Sequence, residues 1–223
     1  MDGIRLMRVV AWLVGVVGVA LMVTSLVFLH QGYKLVGVRG DSMTPTYGVG
    51  ESVVVERIDA DEVRRGDVVL YAAPDRYPYG SQVIQRVIGV GGDRVVCCAG
   101  AGGANERLVR NGTPLAETYL RDGVADGLHR PYDVRVPQGR LFVLGDHRFN
   151  ARDSRSFADD HGGTVPAEAV VGRVTDDYVA PVLLALALLL GVLLLAGAVV
   201  LAVAARNVRR RPSMITQLWP DQF

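Results

Sequence analysis

The sequence predicts an all-β domain between two membrane-spanning helices. Two apolar runs, from Val9 to Leu29 and from Tyr178 to Ala205, contain no charged residue. At about 1.5 Å of rise per residue, each run is long enough to cross the roughly 30 Å hydrocarbon core of a bilayer. Between them, short valine-rich segments alternate with turn residues, and no long amphipathic helical pattern interrupts the series. These observations indicate one β-rich domain flanked by two transmembrane helices.

The first apolar run favours an uncleaved anchor over a removable signal peptide. Arg5 and Arg8 precede it, as basic residues precede the core of a signal peptide. The run is long for such a core, however, and no small-x-small cleavage site precedes Gly32. Lys34, the only lysine of the chain, follows the run, and we expect its ammonium group to reach lipid head groups.

Arginines at the outer ends of both runs predict the topology. Arg206 and three further arginines follow the second run, as Arg5 and Arg8 precede the first. The positive-inside rule then places both termini in the cytoplasm. The predicted segments are a cytoplasmic N-terminus (1–8), a transmembrane anchor (9–29), an extracytoplasmic domain (30–177), a second transmembrane helix (178–205) and a basic cytoplasmic tail (206–223).

Valine-rich runs bounded by turn residues predict the strands of the domain. A first strand surrounds Val36 and Val38. Asn111-Gly112 predicts a hairpin turn, and Asp122-Gly123 a further turn. The remaining predicted strands cover 51–57, 67–73, 82–90, 94–98, 107–110, 132–136, 141–144 and 169–175.

Composition argues against nucleic-acid and metal-binding classes. The formal net charge is +1, and the clustered basic residues flank the apolar runs rather than form a nucleic-acid face. Cys97 and Cys98 are the only cysteines, too few for a structural zinc site, and a disulfide between neighbours is strained. We therefore expect free thiols, with pairing to another chain as the alternative, and neither metal nor cofactor.

A serine lies in a tight turn shortly after the first apolar run, in the stretch from Val38 to Glu51. Gly40 and Asp41 can form the turn, and Pro45 fixes the backbone three residues after Ser42. Such a turn holds a hydroxyl still at the membrane surface. A serine hydroxyl is a poor nucleophile by itself, so catalysis requires a nearby base and a backbone N–H for the developing oxyanion.

Three further motifs follow in order: Gly-Asp-Val-Val at 66–69, Arg-Val-Ile-Gly-Val-Gly-Gly-Asp at 86–93 and Gly-Asp-His-Arg-Phe-Asn-Ala-Arg-Asp-Ser-Arg at 145–155. With the serine stretch, they resemble the ordered boxes of bacterial type I signal peptidases, over about residues 9 to 174. The resemblance implies a coiled antiparallel β-fold that removes signal peptides from secretory preproteins after small residues at positions −1 and −3. The peptide would lie extended along strands bordering the serine, bound by strand addition.

The resemblance also implies roles for individual residues. Ser42 corresponds to the nucleophile, and Met43 to its neighbour on the substrate-facing surface. Val83 and Ile84 correspond to the strand along which the substrate lies. The residues implied to hold the shape of the site are Pro45, Arg86, Asp146, Asp153 and Arg155.

The general base departs from the family pattern. The catalytic lysine of the family directly precedes the Arg-Val pair, and this chain has Gln85 there. A glutamine can orient a hydroxyl or a water, but it cannot accept a proton at neutral pH. Ala151 stands where the family commonly has a serine that orients this lysine. The two linked departures indicate an altered or abandoned base.

Histidine is the natural substitute, and His147 is the one histidine inside a box motif. The base is thus His147, a water held by Gln85, or a group that the sequence does not reveal. Two functions follow: a signal peptidase I-like serine endopeptidase, or a weak or inactive homologue that binds preproteins or regulates an active signal peptidase. Retention of Ser42 favours the first, and Gln85 with Ala151 favours the second. Expected partners are secretory preproteins, membrane lipid and, for the second function, an active paralogue.

Overall fold

The predicted fold class is confirmed by the structure, a computed structural model that describes residues 2–77, 81–100, 106–127 and 130–210. The chain forms two compact units. One contains the terminal helices, from Met1–Gln31 and Asp177–Phe223, and the other is the β-rich domain Gly32–Asp176. Each unit is described separately below.

The helical unit contains α1 (Asp2–Gly32) and α2 (Val179–Arg210). Their segments Gly3–Gly32 and Val179–Val208 are long and apolar enough to cross a membrane. The two helices approach closely at a pair of glycines. A Cβ atom added to Gly18 would lie 2.8 Å from the carbonyl oxygen of Gly191, and the reciprocal distance is also 2.8 Å. Only a residue without a side chain permits this backbone approach.

The β-rich domain consists of a seven-stranded and a four-stranded sheet, and all its strand pairs are antiparallel. The order is β1-β2-β11-β3-β4-β9-β10 in the larger sheet and β7-β6-β5-β8 in the smaller one. The strands are β1 (Tyr33–Gly37), β2 (Ser52–Glu56), β3 (Val68–Ala72), β4 (Gln82–Val90), β5 (Arg94–Ala99), β6 (Arg107–Arg110), β7 (Thr113–Pro114), β8 (Tyr132–Arg135), β9 (Arg140–Leu144), β10 (Val165–Pro166) and β11 (Val170–Thr175). Short 3-10 helices lie at Ala60–Glu62, Arg121–Gly123, Ser154–Phe157, His161–Gly163 and Ala167–Ala169.

The predicted strands all form, with boundaries shifted by no more than one residue at either end. The hairpin prediction is also confirmed, since Asn111 and Gly112 join β6 to β7 with φ angles of 53° and 82°. A two-residue turn with both φ angles positive matches the twist of the flanking strands. The two-residue strands β7 and β10 were not predicted, because two residues are too few to show an alternating pattern.

Strand β4 contributes to different cores from its two faces, because successive side chains on a strand point in opposite directions. Val87 packs with Val69 and Val143 in one apolar cluster. Its neighbour Ile88 packs with Phe142 in a second cluster. Neighbouring residues on β4 therefore have different surroundings, and Gln85 and Ile84 face opposite sides of the strand.

The prediction of free thiols was wrong, because Cys97 and Cys98 are joined in a disulfide within β5. β5 changes register against β6 between Val96 and Ala99, so the pairing is irregular where the two cysteines lie. Glu106 has a carboxylate oxygen within 4.8 Å of both sulfur atoms. Metal binding by cysteine requires thiolates, and the disulfide ties up both sulfurs.

Candidate active site

The serine turn is anchored by its neighbour in the sequence. The side chain of Met43 is 1% exposed and packs with Val55 and Leu70. The turn is closed by two backbone hydrogen bonds, from Thr44 N–H to the Asp41 carbonyl (3.0 Å) and from Tyr47 N–H to the Met43 carbonyl (3.0 Å). With Met43 buried, Ser42 is held at the surface of the domain, half-buried.

The end of β9 meets the serine turn at main-chain level. The backbone N–H of His147 donates to the carbonyl oxygen of Ser42 at 2.9 Å. A Cβ atom added to Gly145 would lie 2.5 Å from Ala151 Cβ and 2.6 Å from the same Ser42 carbonyl oxygen. Glycine at position 145 therefore lets the loop that contains His147 and Ala151 approach the nucleophile.

A groove of about 650 Å³ begins at Ser42 and runs between β1 and β4. Within the described part of the chain, β1 pairs only with β2, and the first residues of β4 pair only with β3, because the pairing of β4 with β9 begins at Arg86. The groove is thus bordered by two strand edges whose main-chain groups are not used by another described strand. Its lining residues are Lys34, Leu35, Val36, Gly37, Val38, Arg39, Gly40, Ser42, Met43, Tyr47, Leu70, Ser81, Gln82, Val83 and Ile84.

The three residues predicted to contact the substrate all border this groove. Met43 and Ile84 belong to the apolar cluster beneath it. Val83 borders the groove from the edge of β4, and its side chain packs on the other face of the strand, in the cluster that contains Val87. Met43 and Ile84 therefore offer side chains to an occupant of the groove, and Val83 offers its strand edge.

Gln85 lies on the opposite face of β4 from Ile84 and is fully buried. Its side-chain oxygen accepts a hydrogen bond from the Tyr71 hydroxyl at 2.6 Å, and its nitrogen donates to the Arg152 carbonyl at 2.8 Å. Tyr77 completes the network, since its hydroxyl also donates to the Arg152 carbonyl (2.7 Å) and lies 3.2 Å from the Tyr71 hydroxyl. Burial strongly raises the pKa of Tyr71, so this hydroxyl stays protonated.

The Gln85 network stops short of the nucleophile. Among the residues that the structure describes, the Ser42 hydroxyl makes no hydrogen bond to Gln85 or to another protein group. Ala151, adjacent to Arg152, carries no hydrogen-bonding side chain that could link this network to the serine turn. Gln85 is therefore a satisfied interior residue, in the position that the resemblance gives to the base.

The charged residues of the boxes form two clusters beside the serine turn. In the first, Arg86 pairs with the buried Asp146 at 2.6 Å, and Asp146 also accepts a hydrogen bond from the Thr46 hydroxyl. The Arg86 guanidinium also stacks on the Tyr119 ring, 4.0 Å from its centroid. Thr46 follows Pro45 in the serine turn, so this cluster ties the turn to β4 and to the end of β9.

The second cluster is centred on Arg155, which pairs with Asp153 (2.8 Å) and Asp126 (2.6 Å). All three side chains are nearly or fully buried. Burial alone lowers the pKa of the guanidinium, but the hydrogen bonds that it donates to the two carboxylates outweigh burial and raise the pKa above its ordinary value. Asp153 also accepts from the backbone N–H of Gly145 at 3.1 Å, which fixes the glycine next to Ser42.

His147 is placed against the residue that precedes the nucleophile. Its Nδ1 lies 3.4 Å from Asp41 Oδ2, and its side chain is 13% exposed. The other Asp41 oxygen accepts from the Asn150 side chain at 2.6 Å. A nitrogen of Arg121 lies 3.5 Å from the same Nδ1. Asp41, His147 and Asn150 therefore form a polar group adjoining Ser42.

Sequence reasoning missed the partners of these residues. Asp41 directly precedes Ser42, and this adjacency was a usable signal. Tyr71 and Tyr77 carried no comparable signal, since they belong to no box. Lys34 was expected at lipid head groups, but its ammonium donates to Gln82 Oε1 at 2.6 Å and it lines the groove.

Known proteins similar to this chain are named signal peptidases. The family described as signal peptidase, peptidase S26, matches residues 6–178. A signal peptidase I of Bacillus caldolyticus is 33% identical over 175 residues, covering 73% of this chain and 86% of the relative. Signal peptidase I V of Bacillus subtilis (strain 168) is 32% identical over 180 residues, covering 74% of this chain and 95% of the relative.

A crystal structure of a signal peptidase I from Enterococcus faecalis V583 is 27% identical, with a TM-score of 0.39. It covers 51% of this chain and 97% of the solved one. The two apolar helices, together with these relatives, indicate a membrane protein. On the family match over residues 6–178 and on relatives that are 32% and 33% identical, the chain belongs to the signal peptidase family, peptidase S26, and has a signal peptidase I-like serine peptidase function.

Proposed function

We propose that this chain is an active serine endopeptidase of a bacterial cell membrane, which removes signal peptides from secretory preproteins after small-x-small sites. The groove supports this most directly, because it has two open strand edges, an apolar floor and Ser42 at one end. An extended peptide gains main-chain hydrogen bonds along both edges, and the floor receives alternate side chains. Small residues fit beside Ser42 because Met43 and Tyr47 fill the space below.

The proposed topology has both termini in the cytoplasm and the β-rich domain outside. Arg5 and Arg8 before the first apolar run and Arg206 after the second support it, by the positive-inside rule. The signal peptide of a preprotein then presents its cleavage site on the side of the membrane where the domain lies.

In the proposed reaction, Ser42 Oγ attacks the carbonyl carbon of the scissile peptide bond and its proton passes to a base. The resulting oxyanion is bound by the Ser42 backbone N–H. The carbon–nitrogen bond then breaks, the leaving amine takes the proton from the base, and a water molecule hydrolyses the acyl-enzyme by the same steps in reverse order. Each step needs one group that accepts and returns a proton near pH 7.

His147 is the group that we propose for this proton transfer. In the proposed arrangement Nδ1 carries the proton of the neutral ring and donates it to the Asp41 carboxylate, which leaves Nε2 to accept the serine proton. Arg121, with a nitrogen 3.5 Å from the same Nδ1, can only donate and favours the other tautomer, so this arrangement requires the Arg121 guanidinium to turn away from the ring. The backbone bond from His147 to Ser42 keeps the two residues together. Catalytic hydrogen bonds are often long before the substrate binds and tighten in the complex.

The second function, a homologue that binds preproteins without cleaving them, is favoured by one observation. Both polar ends of the Gln85 side chain are engaged, and among the described residues no hydrogen bond links Gln85 to Ser42. Gln85 therefore has no direct hydrogen bond through which to act on the nucleophile. If His147 does not act as the base, the groove keeps its peptide site and the reaction is lost.

The test is cleavage of a preprotein with a small-x-small site by the purified full-length protein in detergent, beside three variants. Ser42→Ala removes the nucleophile and is expected to abolish cleavage. His147→Ala is expected to lower kcat by about 10²- to 10⁴-fold with little change in KM, which is the usual effect of losing a general base. Gln85→Lys restores the amine of the family pattern and provides the comparison.

The outcomes separate the two functions. Loss of cleavage in both Ser42→Ala and His147→Ala supports the proposed enzyme and its base. Full cleavage in His147→Ala contradicts the role of the histidine while leaving the peptidase intact. Tight preprotein binding without cleavage by the parent protein, together with cleavage in Gln85→Lys, identifies a binder that lacks only the base.

A further inference from the structure

The groove is closed at the end away from Ser42 by a polar pair, Lys34 and Gln82. Lys34 Nζ donates to Gln82 Oε1 at 2.6 Å. In the larger sheet, three strands separate β1 from β4, so this contact requires the sheet to curl until the two edges face each other. The inward row of β1 continues from Lys34 to Val36 and Val38, so a single cationic position precedes an apolar floor.

The pair lies too far along the strands to act on Ser42. Val38 lies four positions after Lys34, just beyond β1, and Gln85 lies three positions after Gln82 on β4. At about 3.3 Å per residue, these separations place the pair roughly 10–13 Å from the serine end of the groove. Lys34 is therefore not positioned as the missing base, although it is the only lysine of the chain.

This distance corresponds to three or four residues of an extended peptide. In a bound strand, alternate side chains point the same way, so residues −1, −3 and −5 of a substrate face the floor together. Residues −1 and −3 lie over the apolar part, and residue −5 reaches the polar pair. We propose that Lys34 and Gln82 form a binding subsite for an acidic side chain five residues before the scissile bond, which rests on the proposed function.

The chemistry of the groove fits a carboxylate at this end. A lysine ammonium has three donors, and Gln82 Oε1 occupies one, so the others are available to a ligand while the pair stays intact. The Gln82 side-chain nitrogen offers a further donor. Among the described lining residues, the charged side chains are Lys34 and Arg39, both cationic. A basic residue at −5 meets repulsion without a compensating carboxylate.

The experiment measures binding of three labelled peptides to full-length Ser42→Ala in detergent, by fluorescence anisotropy at low salt. The peptides share one small-x-small site and differ only in Glu, Ala or Lys at −5. We expect Glu to bind on the order of tenfold more tightly than Lys, since attraction and repulsion at an exposed pair each contribute up to about fivefold. Salt should reduce the ratio. The same ratio should appear in kcat/KM for cleavage by the parent protein.

Two further variants locate the effect. Lys34→Met in the Ser42→Ala background should bring the Glu-to-Lys ratio close to one. Leu35 also borders the groove, but its side chain alternates with those of Lys34 and Val36 along β1, so it points to the other face and is 71% exposed. The double change Lys34→Met and Leu35→Lys therefore preserves the net charge and moves the ammonium out of the groove, and it should also give a ratio close to one.

Each remaining outcome contradicts either the subsite or the proposed function. A Glu-to-Lys ratio that survives both Lys34 variants overturns the subsite, and so does equal binding of the three peptides by Ser42→Ala. If binding is equal while the parent protein cleaves all three peptides, only the subsite is lost. If none of the peptides binds, the groove is not a peptide site, and the proposed function is overturned with it.

Discussion

Gln85 and Arg86 are neighbours on β4, yet they are held by different chemistry on opposite faces of the strand. Gln85 is fully buried among neutral groups, between the Tyr71 hydroxyl and the Arg152 carbonyl. Arg86 is paired with the buried carboxylate of Asp146 and also donates to the Gly66 carbonyl at 3.0 Å. The hydrogen-bonding groups of Gln85 are satisfied by neutral dipoles, and the charge of Arg86 is balanced by an opposite charge.

The difference explains how position 85 can hold a glutamine without loss of the fold. Hydroxyl and carbonyl groups bond to an amide as readily as to a neutral amine, so a glutamine is satisfied at position 85. Arg86 and Asp146 have no such freedom, because losing either partner leaves a buried charge without compensation. The neutral face of β4 is therefore replaceable, and the shape of the site depends on the charged face.

The largest expected loss of stability comes from removing one partner of the Arg86–Asp146 pair. Asp146→Ala removes the partner of Arg86 and the acceptor for the Thr46 hydroxyl, so Arg86 keeps its charge at a site where its side chain is 12% exposed. We expect the free energy of unfolding to fall by about 3–5 kcal/mol. Thermal unfolding of the full-length protein in detergent, followed by far-UV circular dichroism, measures the loss.

Asp133→Ala is the matched control for that variant. Asp133 pairs with Arg94, and both side chains are about half exposed. Water screens such a pair, so the loss of stability should be far smaller than in Asp146→Ala. Equal losses in Asp146→Ala and Asp133→Ala contradict the view that burial makes the Arg86 pair indispensable.

A substitution of Gln85, on the neutral face of β4, should reduce stability less. Gln85→Leu removes two hydrogen bonds, but the Tyr71 hydroxyl keeps Tyr77 within 3.2 Å and the Arg152 carbonyl keeps its bond from the Tyr77 hydroxyl. Few polar groups are left unpaired, so the free energy of unfolding should fall by about 1–3 kcal/mol, less than for Asp146→Ala. The same unfolding experiment ranks the two variants, and the reverse order refutes the comparison.

Gln85 and Arg86 also show which features of the structure could be predicted from the sequence. Valine alternation and turn residues placed β4 at its observed bounds, because strand formation depends on local pattern. The partners of Gln85 come from β3 and from residues 77 and 152, so only the folded chain brings them together. Lys34 illustrates the same limit, because its contact with Gln82 depends on the curl of the sheet and not on the helix that precedes it.

A third arginine–carboxylate pair, Arg65 and Asp93, lies near the other end of β4. The pH dependence of its contribution to stability tests the comparison further. Burial raises the pKa of Asp93, but hydrogen bonds from Arg65, the Val90 N–H and Asn111 prevail and lower it from 3.8 to about 2. Because the folded-state pKa lies below the unfolded one, the stabilisation is complete above about pH 4 and is lost as the pH falls towards 2.

Asp93→Asn keeps the shape of the side chain and removes its charge, so it isolates this contribution. Arg65 is about half exposed, and solvent screening limits the expected effect to about 1 kcal/mol, the smallest of the three. The measurement is the difference in free energy of unfolding between parent and variant at several pH values. It should be constant from pH 7 to 5 and shrink between pH 4 and 2, whereas a difference that persists at pH 2 means that shape, and not the Asp93 charge, stabilises this end of β4.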